Sequence, residues 1–482
     1  MPFSKLHLPT LCLFLFVSAT ALVFACTLPI YQGPDEQIHY ATIQYRAEPK
    51  EKTWPIQEVK NPPEMKNLED FHLSEEVTKT GQALQFDQVK WQEENTPQFT
   101  SDTVGINESL ITTNYFKRYI DIYPQNISTN TSYYYWITSW LEKTFSFLGF
   151  IERFFLMRFF SLLLYLGTIV AAYHIAKQLF VTHLRQILFT VLIAFQPMLL
   201  ATGVIVNIDI ALIFGATLFF LGALGVITKP TYKSHLLLIT GLLLAFLGKA
   251  SGIAFVPVYL LVYLFFFQQK YQFSYQKILR SGFYAGSALL LLVFFSIPKD
   301  ILATFLNLGV PSKFSSPLES LLTYLDKTIG LDVFLRTHTS YWGNFGWLDT
   351  KINTSLLHSI AFVELIAWIG ILVFLFSKKI KDYLPQKSMI ILSLGMIFFL
   401  QFAIRFYDWR VFDTTGKIVI GTPGRYFLPS LVPHLLILVT GLGFLFTKNK
   451  RQFTTLLKAL TLSMILLCLY AIFDVIIPRY YL

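Results

Sequence analysis

Apolar runs long enough to cross a bilayer recur from one end of this chain to the other. Hydrocarbon offers peptide groups no partner, so each run must satisfy its own backbone as a helix. Such windows fall near residues 9–30, 154–176, 186–203, 207–227, 236–248, 252–268, 281–297, 354–377, 388–404, 425–447 and 455–476. They predict an all-α integral membrane protein of about 11 transmembrane helices. The fifth and sixth windows are short and flank Gly248-Lys249-Ala250-Ser251-Gly252, a break that also suits one interrupted helix or a re-entrant pair. With 54% of its 482 residues hydrophobic and 14% charged, the chain carries more apolar surface than a soluble core can hide. The first run follows Lys5 and contains Ala25-Cys26, which loosely imitates a lipoprotein cleavage site. Phe24 fits that site poorly and the run is long enough to span, so a retained first helix is expected.

The formal charge of +10 is distributed as short basic clusters between the apolar runs. These are Lys177 and Arg185; Lys229 and Lys233; Lys270, Lys277 and Arg280; Lys378 to Lys387; and Lys448 to Lys458. Such clusters are topology signals and point away from nucleic acid as a partner. With eleven spans they all fall on one side, the cytoplasm, which leaves the N-terminus inside and the C-terminus outside a cell membrane. The domain reading is a first helix at 1–30, an extracytoplasmic loop at 31–153 and a bundle at 154–297. A second outer loop follows at 298–353, then C-terminal helices at 354–482 with an outer loop at 405–424. The first loop is large and acidic, holding 18 of the 29 acidic residues against 11 Lys and Arg. Within it, residues 48–126 are expected to form an irregular polar subdomain, and Tyr133 to Phe150 a helix lying in the membrane interface. Sequons at Asn107, Asn126, Asn130 and Asn353 would face outward. Cys12, Cys26 and Cys468 lie in apolar segments, too far apart for a ligand or disulfide pattern, and read as packing residues.

Chemistry should therefore sit in the outer loops. Gly33-Pro34-Asp35-Glu36-Gln37-Ile38-His39-Tyr40 places two adjacent carboxylates just after the first span. Asp35 and Glu36 suit an acidic helix start, and equally a catalytic acid pair with Asp35 as general base. Glu36 would orient a partner, while His39, four residues after Asp35, shares its helix face. Asp209, in Val206-Asn207-Ile208-Asp209-Ile210, is an acid embedded in apolar sequence and a binding candidate for that reason. Asp35 and Asp209, if they converge, would be the ligands of a divalent metal, should one be used. Lys249, Arg405 and Arg425 are outward cations, joined by Arg336, His338 and Lys351 near an aromatic segment. A lipid phosphate is the natural counter-anion for such charges, and Arg425, between Gly424 and Tyr426, has a planar fork suited to phosphate oxygens. Trp342 and Trp347, in Trp342-Gly343-Asn344-Phe345-Gly346-Trp347, either stack on a sugar or anchor the interface.

The order of these features resembles a family of bacterial multi-pass membrane proteins of unknown function that looks like part of the C-type (GT-C) glycosyltransferase superfamily. The features are the acidic pair with its following His, Asn207-Ile208-Asp209, Gly248-Lys249, the Trp-Gly-Asn-Phe-Gly-Trp segment and Gly424-Arg425-Tyr426-Phe427-Leu428-Pro429. The Asp-Glu pair is also similar to that of protein mannosyltransferases. The resemblance implies a GT-C-like bundle, a catalytic carboxylate at Asp35 in the first outer loop, and substrate contacts from the residues above, Tyr426 included. It also implies a polyprenyl-phosphate sugar donor and a glycan acceptor such as a cell-surface polysaccharide, teichoic-acid-like polymers among them. The reaction expected is sugar transfer with inversion and without a nucleotide. The alternatives are a polysaccharide polymerase or ligase, a polyprenyl-linked glycan transporter or flippase, and a non-catalytic assembly subunit.

Overall fold

The computed structural model describes residues 8–47, 75–90, 92, 94–95, 132–271, 312–378, 381–418 and 421–482. It is mostly helical. Seven of its helices are long and apolar enough to cross a membrane: Leu8–Thr27, Phe150–Leu179, Asp209–Thr228, Thr354–Phe376, Lys387–Thr415, Gly424–Phe446 and Lys450–Tyr481. An eighth arises if His183–Ala194 and Pro197–Val204 form one span bent by 64°. Tyr232–Gly248 and Ala250–Phe266 are apolar but shorter. The expected count of eleven is thus seven or eight among the described residues, and the window at 281–297 lies outside them, as do most of residues 48–126 and the first three sequons. The window at 186–203 departs from a straight helix because Pro197 has no N–H to continue the ladder. Gln196 instead caps the new segment, its Oε1 accepting from Leu199 N at 2.5 Å.

Helix packing relies on backbone contact, as is usual where lipid removes the hydrophobic incentive to associate. A Cβ on Gly222 would lie 2.2 Å from Leu238 N, and one on Gly241 2.2 Å from Phe219 N. The Asp209–Thr228 and Tyr232–Gly248 helices therefore touch main chain to main chain. Tyr133–Thr144 is amphipathic as expected: Tyr134 and Tyr135 are buried while Trp136 and Trp140 are exposed. The all-α expectation needs one addition, a two-residue antiparallel hairpin that pairs Asn344 with Lys351 and Phe345 with Thr350. Gly346 turns it with φ +59°, in a space where a Cβ would meet the Tyr480 hydroxyl and Asp349.

The bundle has two chemically different ends. At one, the basic connectors gather: Arg185 donates to Lys450 O at 2.7 Å, Lys381 to Phe444 O at 2.6 Å, and Lys450 pairs with Asp382 at 2.6 Å. Thr10, near the start of the first helix, sits with them, 3.0 Å from His183 Nε2. The other end collects Asp35, the N-terminus of Asp209–Thr228, the C-terminus of Tyr232–Gly248 and the Gly424–Ser430 turn.

Candidate active site

The turn between the first helix and Glu36–Ala47 is held by a buried ion pair. Arg158, on the Phe150–Leu179 helix, donates Nε to Glu36 Oε1 at 2.9 Å and Nη2 to Glu36 Oε2 at 2.8 Å. Its remaining donors reach the carbonyls of Ala25, Leu28 and Pro29 at 2.6–2.9 Å. Glu36 also accepts from Val206 N at 2.9 Å and Tyr31 N at 3.1 Å. All its acceptor capacity is committed and it is fully buried, so Glu36 is not available to substrate. Its place is to fix the neighbouring residue. Asp35 follows with φ 60°, a left-handed conformation that Asp tolerates better than most residues. The bend turns its carboxylate outward, 45% exposed.

Opposite Asp35 stands Arg425. Gly424 packs so tightly on the Leu331–Trp342 helix that a Cβ would come 2.2 Å from Thr337 O and Tyr341 N, and its N–H donates to Ser340 Oγ at 2.6 Å. That contact delivers Arg425 Nη2 to Asp35 Oδ2 at 2.9 Å, with its Nε 3.8 Å from Asp209 Oδ2. Asp209 takes a second cation, Lys249 Nζ, at 2.6 Å. Lys249 in turn lies 4.3 Å above the Tyr426 ring, a cation–π arrangement that holds the ammonium without consuming an anion. Lys249 reaches this position because the chain turns extended at the end of its helix, where Ser132 clamps Gly248 O at 2.6 Å. Asn207 orders the start of the Asp209 helix, accepting from Ile210 N at 3.2 Å and donating to Thr202 O at 2.7 Å.

His39 completes the group, its Nδ1 2.5 Å from the Tyr135 hydroxyl. Burial pulls its pKa from 6.5 down to about 4, with Lys249 and Arg425 acting in the same direction and Asp35 and Asp209 opposing. The imidazole is therefore neutral at pH 7. Because the folded state resists protonation, its stability is full above the unfolded pKa of 6.5 and declines as pH falls toward 4. A His39→Gln chain should accordingly show a flatter unfolding temperature between pH 6.5 and pH 4.5 than the parent in detergent. Parallel profiles would refute this assignment.

Asp35, His39, Asp209, Lys249, Arg425 and Tyr426 thus converge, as the sequence suggested. Trp342 and Trp347 do not join them. Trp342 is 2% exposed with its indole N–H given to Glu364 Oε1 at 3.0 Å, and Trp347 gives its own to Tyr31 O at 3.0 Å beneath Lys90. Neither ring offers a face to a sugar, because both are spent on packing. Arg405 is also removed from the group, facing Gln401 Oε1 at 3.4 Å on its own helix. As a metal site the Asp35 and Asp209 pair does not fit, since the Arg425 guanidinium lies between the two carboxylates. Among the described residues no three His, Cys, Asp or Glu side chains are arranged to hold an ion.

Two polar clusters were not singled out from sequence. Arg153 is fully buried between Glu76 and Glu142, joining the first loop and the Tyr133–Thr144 helix to the bundle. Glu364 accepts from Trp342 and lies 2.8 Å from His338 Nε2 and 3.1 Å from His434 Nε2. Ionisable residues inside apolar helices are the signal that would have found Arg158 and Glu364.

Beside Arg425 opens a narrow cleft of about 410 Å³, its mouth included, bounded by Gln32, Gly33 and Pro34 on one side and by Asn344, Phe345 and Gly346 on another. Asp209 and Asn207 form part of its wall.

A family profile described as "Predicted membrane protein (DUF2142)" matches residues 16–434. The chain belongs to that family. The DUF2142 match takes in every residue of the site, from Asp35 to Tyr426, and supports a membrane location together with the apolar helices. Its description names no reaction. No curated protein and no solved structure matches the chain.

Proposed function

We propose that this protein is a GT-C-type glycosyltransferase that moves a sugar from a polyprenyl-phosphate donor to a glycan acceptor outside the cytoplasm. The observation that carries the reading is the Asp35–Arg425 pair, an accessible carboxylate held by a guanidinium that a phosphate can capture. Lys249 stands behind it as a second cation. A site with two carboxylates and two cations is neutral when empty and gains an anion well, because phosphate competes with Asp35 for the arginine fork. Donor binding thereby frees Asp35 beside the reacting centre.

In the reaction, Asp35 takes the proton of an acceptor hydroxyl as that oxygen forms a bond to the anomeric carbon. The bond from that carbon to the phosphate oxygen breaks, and the polyprenyl phosphate leaves with its charge held by Arg425 and Lys249. One displacement inverts the anomeric centre. The basic connectors at the opposite end fit a cytoplasmic surface, which supports an outward-facing Asp35. Cell-surface polysaccharides are the acceptor class the reading favours. The Lys249–Asp209 ion pair at a helix break is a feature that favours a transporter instead.

Membranes holding the parent chain or Arg425→Gln at matched expression, given radiolabelled sugars on polyprenyl phosphate, test the reading. Parent membranes should transfer label and the variant should be slower by about 100-fold, the usual cost of removing one oxyanion contact. Equal rates would remove Arg425 from the reaction. Parent membranes that transfer no sugar but move labelled lipid-linked glycan between leaflets would replace the transferase reading with the transporter.

A further inference from the structure

Three buried polar atoms on the wall of the cleft have no hydrogen-bond partner among the described residues: Gln32 Oε1, Asn344 Oδ1 and Arg425 Nε. Each is left over for a structural reason. Gln32 is 2% exposed on the turn that the Glu36–Arg158 pair fixes. Asn344 has already given its amide nitrogen to Leu348 O at 2.9 Å, which sets which way its oxygen faces. Arg425 has given Nη2 to Asp35, and its Nε lies 3.8 Å from Asp209, beyond hydrogen-bond range. An unsatisfied buried polar group is destabilising, and native structures hold few of them, so three on one wall ask for an occupant.

The occupant's chemistry follows from the inventory. It must donate to two amide oxygens and accept from one guanidinium N–H. A phosphodiester has nothing to donate, a metal ion meets the positive charge of Arg425, and an alkyl chain satisfies none of the three. Adjacent hydroxyls on a sugar ring do both, as does a single water. Leu28, Met198 and Phe345 supply apolar lining beside these polar groups. The enclosed part measures only about 20 Å³, room for a hydroxyl or a water and not for a ring.

We infer that this cleft is a specificity pocket that reads hydroxyls of a monosaccharide whose anomeric phosphate lies against Arg425. The inference rests on the transferase reading for its phosphate and names the part of the donor that the protein selects.

The test is binding to the purified full chain in detergent, with glucose, galactose and mannose 1-phosphates compared with inorganic phosphate. The parent chain should bind one epimer about tenfold more tightly than inorganic phosphate. Gln32→Met and Asn344→Leu should each lose most of that margin, since one hydrogen bond to a ligand is worth up to about tenfold. Both should bind inorganic phosphate as before, and Gln32→Met should unfold no earlier than the parent without ligand because it removes an orphaned acceptor, whereas Asn344→Leu also gives up the bond to Leu348 O. A parent chain that binds all four probes equally would overturn the pocket and leave an ordered water as its occupant. So would variants that keep the epimer preference. The parent chain separates the two readings: sugar selectivity in a parent that transfers no sugar would uphold the pocket and reject the reaction.

Discussion

Replacing Asp35 by Asn is expected to slow sugar transfer by about 10²–10⁴-fold, the range a positioned general base supplies, while the protein folds as before. Two features make this substitution clean. Asp35 has φ 60°, and Asn is among the few residues that accept that conformation readily, whereas Ala would add backbone strain and confuse the result. Its carboxylate is 45% exposed, so losing the pair with Arg425 removes an interaction that water already screens and that is worth about 1 kcal/mol or less. Radiolabel transfer at matched protein level, read beside the unfolding temperature, checks both halves. A rate within about threefold of the parent, well short of that range, would remove Asp35 as the base.

The largest effect on stability should come from Arg158→Met. Met occupies similar volume but leaves Glu36 buried without its cation and three loop carbonyls without their donor. Breaking one side of a buried pair costs about 3–5 kcal/mol, enough to abolish folding in a marginal protein. The double variant Arg158→Met with Glu36→Gln should recover part of that loss, because no uncompensated charge remains. Yield of folded protein and detergent unfolding temperature measure it. A double variant less stable than Arg158→Met alone would show that Glu36 is held chiefly by Val206 and Tyr31. Transfer by a folded double variant should still fall, since the turn that aims Asp35 loses its anchor.

The positions of the helices were legible because hydropathy depends on each residue and its near neighbours alone. The window at 186–203 reads as one span in sequence, and the bend at Gln196-Pro197 is held by contacts such as Gln196 to Tyr341 O at 2.7 Å, which no local window contains. In the site, Asp209 stood out as an acid in apolar sequence, Lys249 and Arg425 as outward cations and Asp35 as half of an acidic pair, and the structure brings the four together. Glu36 stood out for the same reason and differs in role by one step along the helix, which turns it inward to Arg158. The tryptophans misled because an interfacial aromatic and a packed one have the same sequence signature. Gln32 and Asn344 gave no signal, since an unpaired amide is recognisable only once its surroundings are known.

Asp35 and Arg425 are separated by 390 positions. A ribosome therefore delivers the carboxylate long before its partner. Until the segment at 424–446 is inserted, Asp35 has neither its counter-ion nor the cleft wall that Arg425 completes. A chain that stops before that segment lacks the guanidinium and the charge pair it completes with Asp35.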